Sequence, residues 1–365
     1  MDEADPVARL ASLGWDEQFA AAFAMLGGEP GLQPGRVAIE FNHLYRLQLA
    51  SGEVEATVSG RIKHHARSRA DLPAVGDWVA VRVGESQQLS TIKAVLPRRT
   101  RFSRKMAGEV TDEQVVAANV NVVFLVMALD DDFSVNRLER YLLLARDSGA
   151  DPVVLLTKAD LCADVSARVA EVGRVAGGMP VHVVNPRQNE GVEAVRGYLS
   201  AGRTGTMLGS SGVGKSTIIN RLAGVDRQRT GEVRESDSKG RHITTHRELI
   251  LLPDGGLVID TPGMRELQLW DVGEAVSEAF EDIEALAADC RFGDCHHTGE
   301  PRCAVAAAVE QGSLAPGRLE SYLKLRSELA HLSRQQDARL EAEEKRRLKV
   351  TGKVPKSRLR DKGRI

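Results

Sequence analysis

The chain has 365 residues, 42% hydrophobic and 27% charged, with a net charge of −2. Such a length exceeds one ordinary core and calls for two or three domains, and the composition excludes a disordered or fibrous protein. No apolar run reaches the length of a membrane span and no basic stretch followed by an apolar one opens the chain, so neither membrane nor export is indicated and a cytoplasmic location is expected.

Residues 1–35 are expected to form a helical extension, in which Trp15, Phe19, Phe23 and Leu26 share one face until Gly27, Gly28 and Pro30 end the helix. From 36 to 105 the pattern changes to short strands at 36–41, 44–49, 53–59, 77–83 and 89–96. They suit a small barrel of the oligonucleotide-binding (OB) type, with an SH3-like barrel bearing a solvated basic rim as the alternative. Arg61, Lys63, His64, His65, Arg67 and Arg69 fall in one expected loop, and Arg98, Arg99, Arg101, Arg104 and Lys105 follow the last strand. Beside Phe41, Tyr45 and Phe102, they fit a surface that tracks a phosphate backbone and stacks bases.

A linker over 106–113 leads to a domain at 114–272, where strands and helices alternate. Strands are expected at 121–128, 152–156 and 181–184, and helices at 135–148, 165–176 and 192–199. A hairpin over 247–252 and 256–260 completes a doubly wound α/β fold with helices on both faces.

Inside this domain, Gly209-Ser210-Ser211-Gly212-Val213-Gly214-Lys215-Ser216-Thr217 follows a short apolar strand and opens a helix that Gly224 stops, a complete phosphate-loop pattern. Glycines let consecutive backbone N–H groups turn around an oxyanion, Lys215 brings a point charge to the β- and γ-phosphates, and the Ser216 hydroxyl can ligate Mg²⁺. Asp260-Thr261-Pro262-Gly263 leaves a strand end, where the carboxylate can reach Mg²⁺ through water and the Gly263 amide can meet a γ-phosphate. Thr157-Lys158-Ala159-Asp160 leaves another. Asp160 would accept from guanine N1–H and the 2-amino group, neither of which adenine offers, and so select GTP over ATP. Thr244 or Thr245, in the polar segment Arg241-His242-Ile243-Thr244-Thr245, could be a second ligand to Mg²⁺.

Behind this domain, Cys290, Cys295, His297 and Cys303 follow C-x4-C-x-H-x5-C, and three thiolates plus one imidazole satisfy a closed tetrahedral Zn²⁺ site. On chemistry alone His296 could replace His297. Disulfides are a poor alternative in a cytosolic chain. Helices near 276–287 and 319–332 complete a zinc domain at 273–344. The tail, 345–365, has ten basic residues against Asp361 alone, which suits a disordered arm for an anionic partner.

In the usual GTPase the phosphate loop comes first and the guanine motif late; here Asp160 precedes Gly209 and Asp260 comes last. With this permutation, the barrel before it and the cysteine cluster behind, almost the whole chain resembles the circularly permuted, ribosome small-subunit-dependent GTPases called RsgA or YjeQ. The resemblance implies hydrolysis of GTP to GDP and phosphate, stimulated by the small (30S) subunit and its 16S-type rRNA during late maturation, by a monomer with one Zn²⁺ and with Mg²⁺ bound alongside GTP. It also favours His297 as the fourth zinc ligand. Carried over by position, residues Gly209 to Thr217 hold the phosphates, Ser216 and Thr244 or Thr245 bind Mg²⁺, Asp260 supports the metal, and Lys158 and Asp160 read guanine.

Three positions depart from the pattern. Met264 stands where many GTPases have a water-orienting Gln, and a thioether cannot do that work. His242 is the candidate for the missing catalytic group, acting once a partner orders its loop, with contact to that partner as its other reading. Thr157 replaces the usual Asn, keeping an oxygen and losing an amide donor; Pro186 has no N–H to offer guanine O6, so Asn185 or Arg187 must supply it or the contact is absent. A coupling is also expected, because only 264–273 separates Asp260–Gly263 from the zinc domain. A P-loop kinase explains the phosphate loop but leaves Asp160, the barrel, the cysteines and the tail without roles; an RNA-binding adaptor with GTP as a structural ligand is the second alternative.

Overall fold

The computed structural model describes residues 5–27, 29–41, 43–85, 88–105, 113–224, 247–260, 276, 279–327, 329, 330 and 334. Helices α1 (Pro6–Ser12) and α2 (Glu17–Ala24) begin the chain, with Asp5 and Asp16 accepting from first-turn amides as N-caps. Trp15 meets Trp78 edge-on at 4.7 Å between ring centroids, which fastens this extension to the barrel.

Five strands form the barrel: β1 (Leu32–Phe41), β2 (Leu44–Leu49), β3 (Gly52–Val58), β4 (Trp78–Arg82) and β5 (Ser90–Val95). β1 pairs with both β2 and β4, β2 with β3, β3 with β5 and β5 with β4, so the ring closes in the order of an OB fold. Val37, Tyr45, Leu47, Leu49, Val79, Val81 and Ile92 fill its inside.

Several sequence expectations for this half are corrected. The expected basic loop contains a short helix, α3 (Gly60–His65), capped by the Ser59 hydroxyl, and Arg61, Lys63, His64, His65 and Arg67 are exposed on and just beyond it. Tyr45 and Phe102 are 0% and 2% exposed and cannot stack bases, whereas Phe41 is 51% exposed. Arg98 is turned inward, its guanidinium on the Asp77 carboxylate at 2.7 and 2.8 Å and on the carbonyls of Ala70 and Leu72. Arg99 lies over the Phe19 ring and pairs with Asp16. The residues flanking the expected linker are strands of an antiparallel pair, β6 (Arg101–Lys105) and β7 (Glu113–Ala118).

The second half follows as β8 (Val122–Ala128), α4 (Val135–Ser148), β9 (Asp151–Thr157), α5 (Val165–Ala176), β10 (Val181–Val183), α6 (Val192–Gly197), β11 (Thr204–Leu208), α7 (Lys215–Ala223), β12 (Arg247–Leu251) and β13 (Leu257–Asp260). The strand order is β10-β9-β8-β11-β13-β12, parallel except for β12. Alternation along β8 sends Val123, Leu125 and Met127 to the core shared with α4 and α5, and Val122, Phe124 and Val126 to that shared with α6 and α7. The chain builds outward from β8 to β10 and returns to β11 on the other side. The reversal between β8 and β11 is where an open α/β sheet leaves a ligand crevice at its carboxyl edge.

β12 also pairs antiparallel with β1 (Ile39 with Glu248, Glu40 with Arg247), so the barrel and the doubly wound sheet are one sheet of eleven strands among the described residues. Helices Glu281–Ala287, Ala304–Glu310 and 316–327 follow, and Phe280, Ile283, Val305 and Tyr322 belong to the same core as Leu138, Tyr141 and Leu142 of α4. Arg318 pairs with Asp282 inside this unit and reaches out of it, at 3.1 Å, to Glu139 of α4.

Candidate nucleotide crevice and metal centre

β11 ends at the crevice and the chain turns sharply at Gly209, where a Cβ would stand 2.3 Å from the Val126 carbonyl of β8; only glycine lets the two strands lie this close. Ser210, Ser211, Gly212 and Val213 continue the loop, and Gly214, left-handed, sets the amides of Lys215, Ser216 and Thr217 as the first turn of α7. Such a helix start favours an anion. The Lys215 ammonium lies across the mouth of the loop, 2.7 Å from the Gly209 carbonyl and 2.6 Å from that of Ser210. β13 lies parallel to β11 and ends at Asp260 on the same edge. His242, Thr244, Thr245, Gly263 and Met264, with segment 264–273 and tail 345–365, lie outside the described residues.

The loop after β9 docks on the phosphate loop through a buried side chain. The Thr157 hydroxyl donates to the Val213 carbonyl at 2.7 Å and is 3.3 Å from the Met127 carbonyl. Lys158 takes a left-handed backbone and places its ammonium 2.8 Å from Asp130 Oδ2. Asp160 follows in a single 3-10 turn, exposed. The third loop arrives from the far side: a Cβ on Gly214 would sit 3.9 Å from Thr157 Cγ2 and 4.0 Å from Pro186 Cγ. Arg221 of α7 holds this loop by donating to the carbonyls of Pro186 and Arg187 at 2.9 and 3.1 Å. Of the two amides considered for guanine O6, that of Asn185 is taken by the Glu190 carbonyl at 2.9 Å, which leaves Arg187 or no contact. Residues some fifty positions upstream of Lys215 thus meet its loop in space.

Two carboxylates and a guanidinium beside this loop had escaped the sequence reading. Asp130 and Asp132 leave the end of β8; Arg137, in the first turn of α4, donates to both Asp132 carboxylate oxygens and, at 2.7 Å, to Ser210 Oγ. The hydrogen bond from Arg137 holds the Asp132 carboxyl below its ordinary range. The sequence signal was a cation in a helical first turn, where the dipole disfavours it.

At the metal centre, Cys290, Cys295, His297 and Cys303 bring one ligand atom each within 4.8 Å of all the others. Tetrahedral Zn²⁺ with bonds of about 2.3 Å to sulfur and 2.0–2.1 Å to nitrogen requires about 3.8 Å between sulfurs and about 3.6 Å from sulfur to nitrogen. The observed separations are 3.8 Å for Cys290 Sγ to Cys303 Sγ, and 3.6 and 3.4 Å from His297 Nδ1 to the same two sulfurs. This donor set fits zinc and takes His297, not His296. Burial, and then Arg326, lower the His297 pKa and favour the neutral imidazole that a metal needs. Burial and the neighbouring thiols push Cys295 up to about 11, a cost that a cation at the centre would reverse. The Cys303 sulfur also accepts from the Ala306 amide at 3.3 Å.

Comparison with known proteins agrees with this geometry. The family model described as RsgA GTPase matches residues 95–270. A relative from Opitutus terrae called small ribosomal subunit biogenesis GTPase RsgA is 50% identical over 364 residues, covering 97% of this chain and 99% of that protein. One from Oceanobacillus iheyensis, called small ribosomal subunit biogenesis GTPase RsgA 1, is 45% identical over 315 residues, covering 86% and 90%. Among solved structures, YjeQ from Thermotoga maritima aligns with a TM-score of 0.58 at 26% identity, over 82% of this chain and 99% of that one. YloQ, described as a circularly permuted GTPase, aligns at 0.55 and 23% identity over 84% and 97%, a likeness of fold.

Proposed function

The chain belongs to the RsgA GTPase family, and from this we propose that it hydrolyses GTP to GDP and phosphate when bound to the small (30S) ribosomal subunit and assists the late maturation of that particle. The observation that carries the reading is the bond from Thr157 to the Val213 carbonyl, which ties the loop bearing Asp160 to the loop bearing Lys215. In this reading residues Gly209 to Thr217 cradle the phosphates, Lys215 neutralises them, Lys158 and Asp160 select guanine, and Asp260 and Gly263 face the metal and the γ-phosphate. Ser216 and Thr244, with Thr245 as the alternative, would hold the Mg²⁺ that accompanies GTP, which would offset phosphate charge. His242 orients the attacking water.

The basic strip on α3 and the tail 345–365 are assigned to 16S-type rRNA. Cys290, Cys295, His297 and Cys303 hold one structural Zn²⁺. We assign the domains to 1–35, 36–105, 114–272, 273–344 and 345–365, in a cytoplasmic monomer; no helix among the described residues is long and apolar enough to cross a membrane. The test compares GTP and ATP turnover with and without purified small subunits. GTP turnover is expected to rise about tenfold or more with subunits while ATP is left untouched. Equal use of ATP, or no response to subunits, overturns the reading.

A further inference from the structure

Lys215 and Lys158 belong to motifs that already explain them; Arg137 does not. It is the third residue of α4, one turn beyond the capping Ser134 hydroxyl, which accepts from the Arg137 amide at 3.4 Å. A cation at that end of a helix opposes the dipole, and its side chain is not part of the core beneath. Neither helix formation nor packing accounts for arginine here.

Its contacts suggest another reason. Arg137 donates to Asp132 Oδ2 at 2.6 Å, Asp132 Oδ1 at 3.0 Å and the Asp132 carbonyl at 3.1 Å, while Nη1 also reaches Ser210 Oγ at 2.7 Å. The guanidinium therefore bridges α4 and the second residue of the phosphate loop. The pair is open to water, with side chains 31% and 51% exposed, and such pairs hold weakly. A phosphate offers the same planar fork more charge than one carboxylate does.

Resting on the GTPase reading above, we infer that Arg137 is a catalytic arginine supplied from within the chain, which exchanges Asp132 for the phosphates of GTP. In hydrolysis the water oxygen forms a bond to the γ-phosphorus while the bond from that phosphorus to the β–γ bridging oxygen breaks. The electron pair stays on the bridging oxygen, which becomes a terminal β-oxygen of GDP, and the proton lost by water ends on the released phosphate. Charge shifts from the γ-phosphate towards the bridging oxygen, and a guanidinium that has left Asp132 for the γ-phosphate would stabilise it there. Asp132 holds Arg137 only between turnovers and takes no part in the chemical step.

The full-length protein with purified small subunits tests this through Arg137→Ala, Arg137→Lys and Asp132→Asn. Arg137→Ala is expected to lower subunit-stimulated kcat about a hundredfold or more, at the low end of what a catalytic arginine contributes, with KM for GTP rising only about fivefold. Arg137→Lys should recover only a small part, since an ammonium cannot fork. Binding of a non-hydrolysable GTP analogue should weaken about fivefold or more and GDP binding by less than about twofold, because the contact is to phosphate that GDP lacks. Asp132→Asn should keep stimulated kcat within about threefold of wild type. If Arg137→Ala retains wild-type kcat, weakens GDP and the analogue equally, or is matched by Asp132→Asn, the guanidinium only braces the loop and the inference is wrong. Wild-type protein without stimulated turnover would overturn the GTPase reading itself, so the two failures are distinct.

Discussion

One hydroxyl ties the guanine-side loop to the phosphate side. Thr157 is buried and donates to the Val213 carbonyl at 2.7 Å, so replacing it leaves that carbonyl without its donor, at a cost of about 1–3 kcal/mol. Thr157→Val keeps the shape and removes the bond. It is expected to weaken GTP and GDP alike by about tenfold, with their ratio unchanged, since the bond shapes the loop and does not sense the γ-phosphate; calorimetric titration with both nucleotides checks this. Lys215, Ser216 and Asp160 are proposed from the chain alone, because phosphate and guanine each require a side-chain type at a set spacing. Thr157 was legible only as the loss of an amide donor. That its oxygen turns inward depends on β9 and β11 lying on either side of β8, which spacing does not contain. Arg137 shows the same limit: its position in the helix was readable, its reach to Ser210 was not.

Among the elements, periodicity made the alternating strands and helices readable from β8 onward, because their apolar faces are wide. It failed at β6, where Arg101-Phe102-Ser103-Arg104 carries one buried apolar residue among polar ones, and at α3, whose six residues show a cap at Ser59 but no apolar stripe. The helices beside the cysteine cluster are short: Glu281–Ala287 and Ala304–Glu310 have seven residues each, far below the length at which a helix is stable alone. Cys303 is at once a ligand and the cap of the second, so metal and helix should be lost together. A high-affinity chelator is expected to reduce the helical circular dichroism signal and expose Cys290, Cys295 and Cys303 to a thiol reagent. Cys303→Ser should do the same without chelator and lower the bound zinc below one per chain. Unchanged thiol reactivity on chelation would contradict a metal-held unit.

At the scale of the whole molecule, Arg36 joins four separate parts of the chain. It is 1% exposed and donates to the carbonyls of Leu13, Gly76 and Asn119 and to the Thr204 hydroxyl, joining the N-terminal helices, the barrel, the turn before β8 and the start of β11. Burial draws its pKa down to about 9, yet it stays cationic at neutral pH, and its hydrogen bonds are of the charged kind. Arg36→Leu should therefore cost about 3 kcal/mol or more, seen as a lower urea midpoint, with the barrel and the GTPase domain unfolding in separate transitions if this residue couples them. Close approach matters beside it: a Cβ on Gly76 would stand 2.1 Å from the Ala118 carbonyl, so the barrel and the strand entering the next domain meet backbone to backbone. β12 has β13 on one flank and β1 on the other, so a load applied to the barrel passes through rungs of backbone amides to the strand that ends at Asp260. The barrel can then serve as a handle: tugging on it would shift the strand edge at which Asp260 stands.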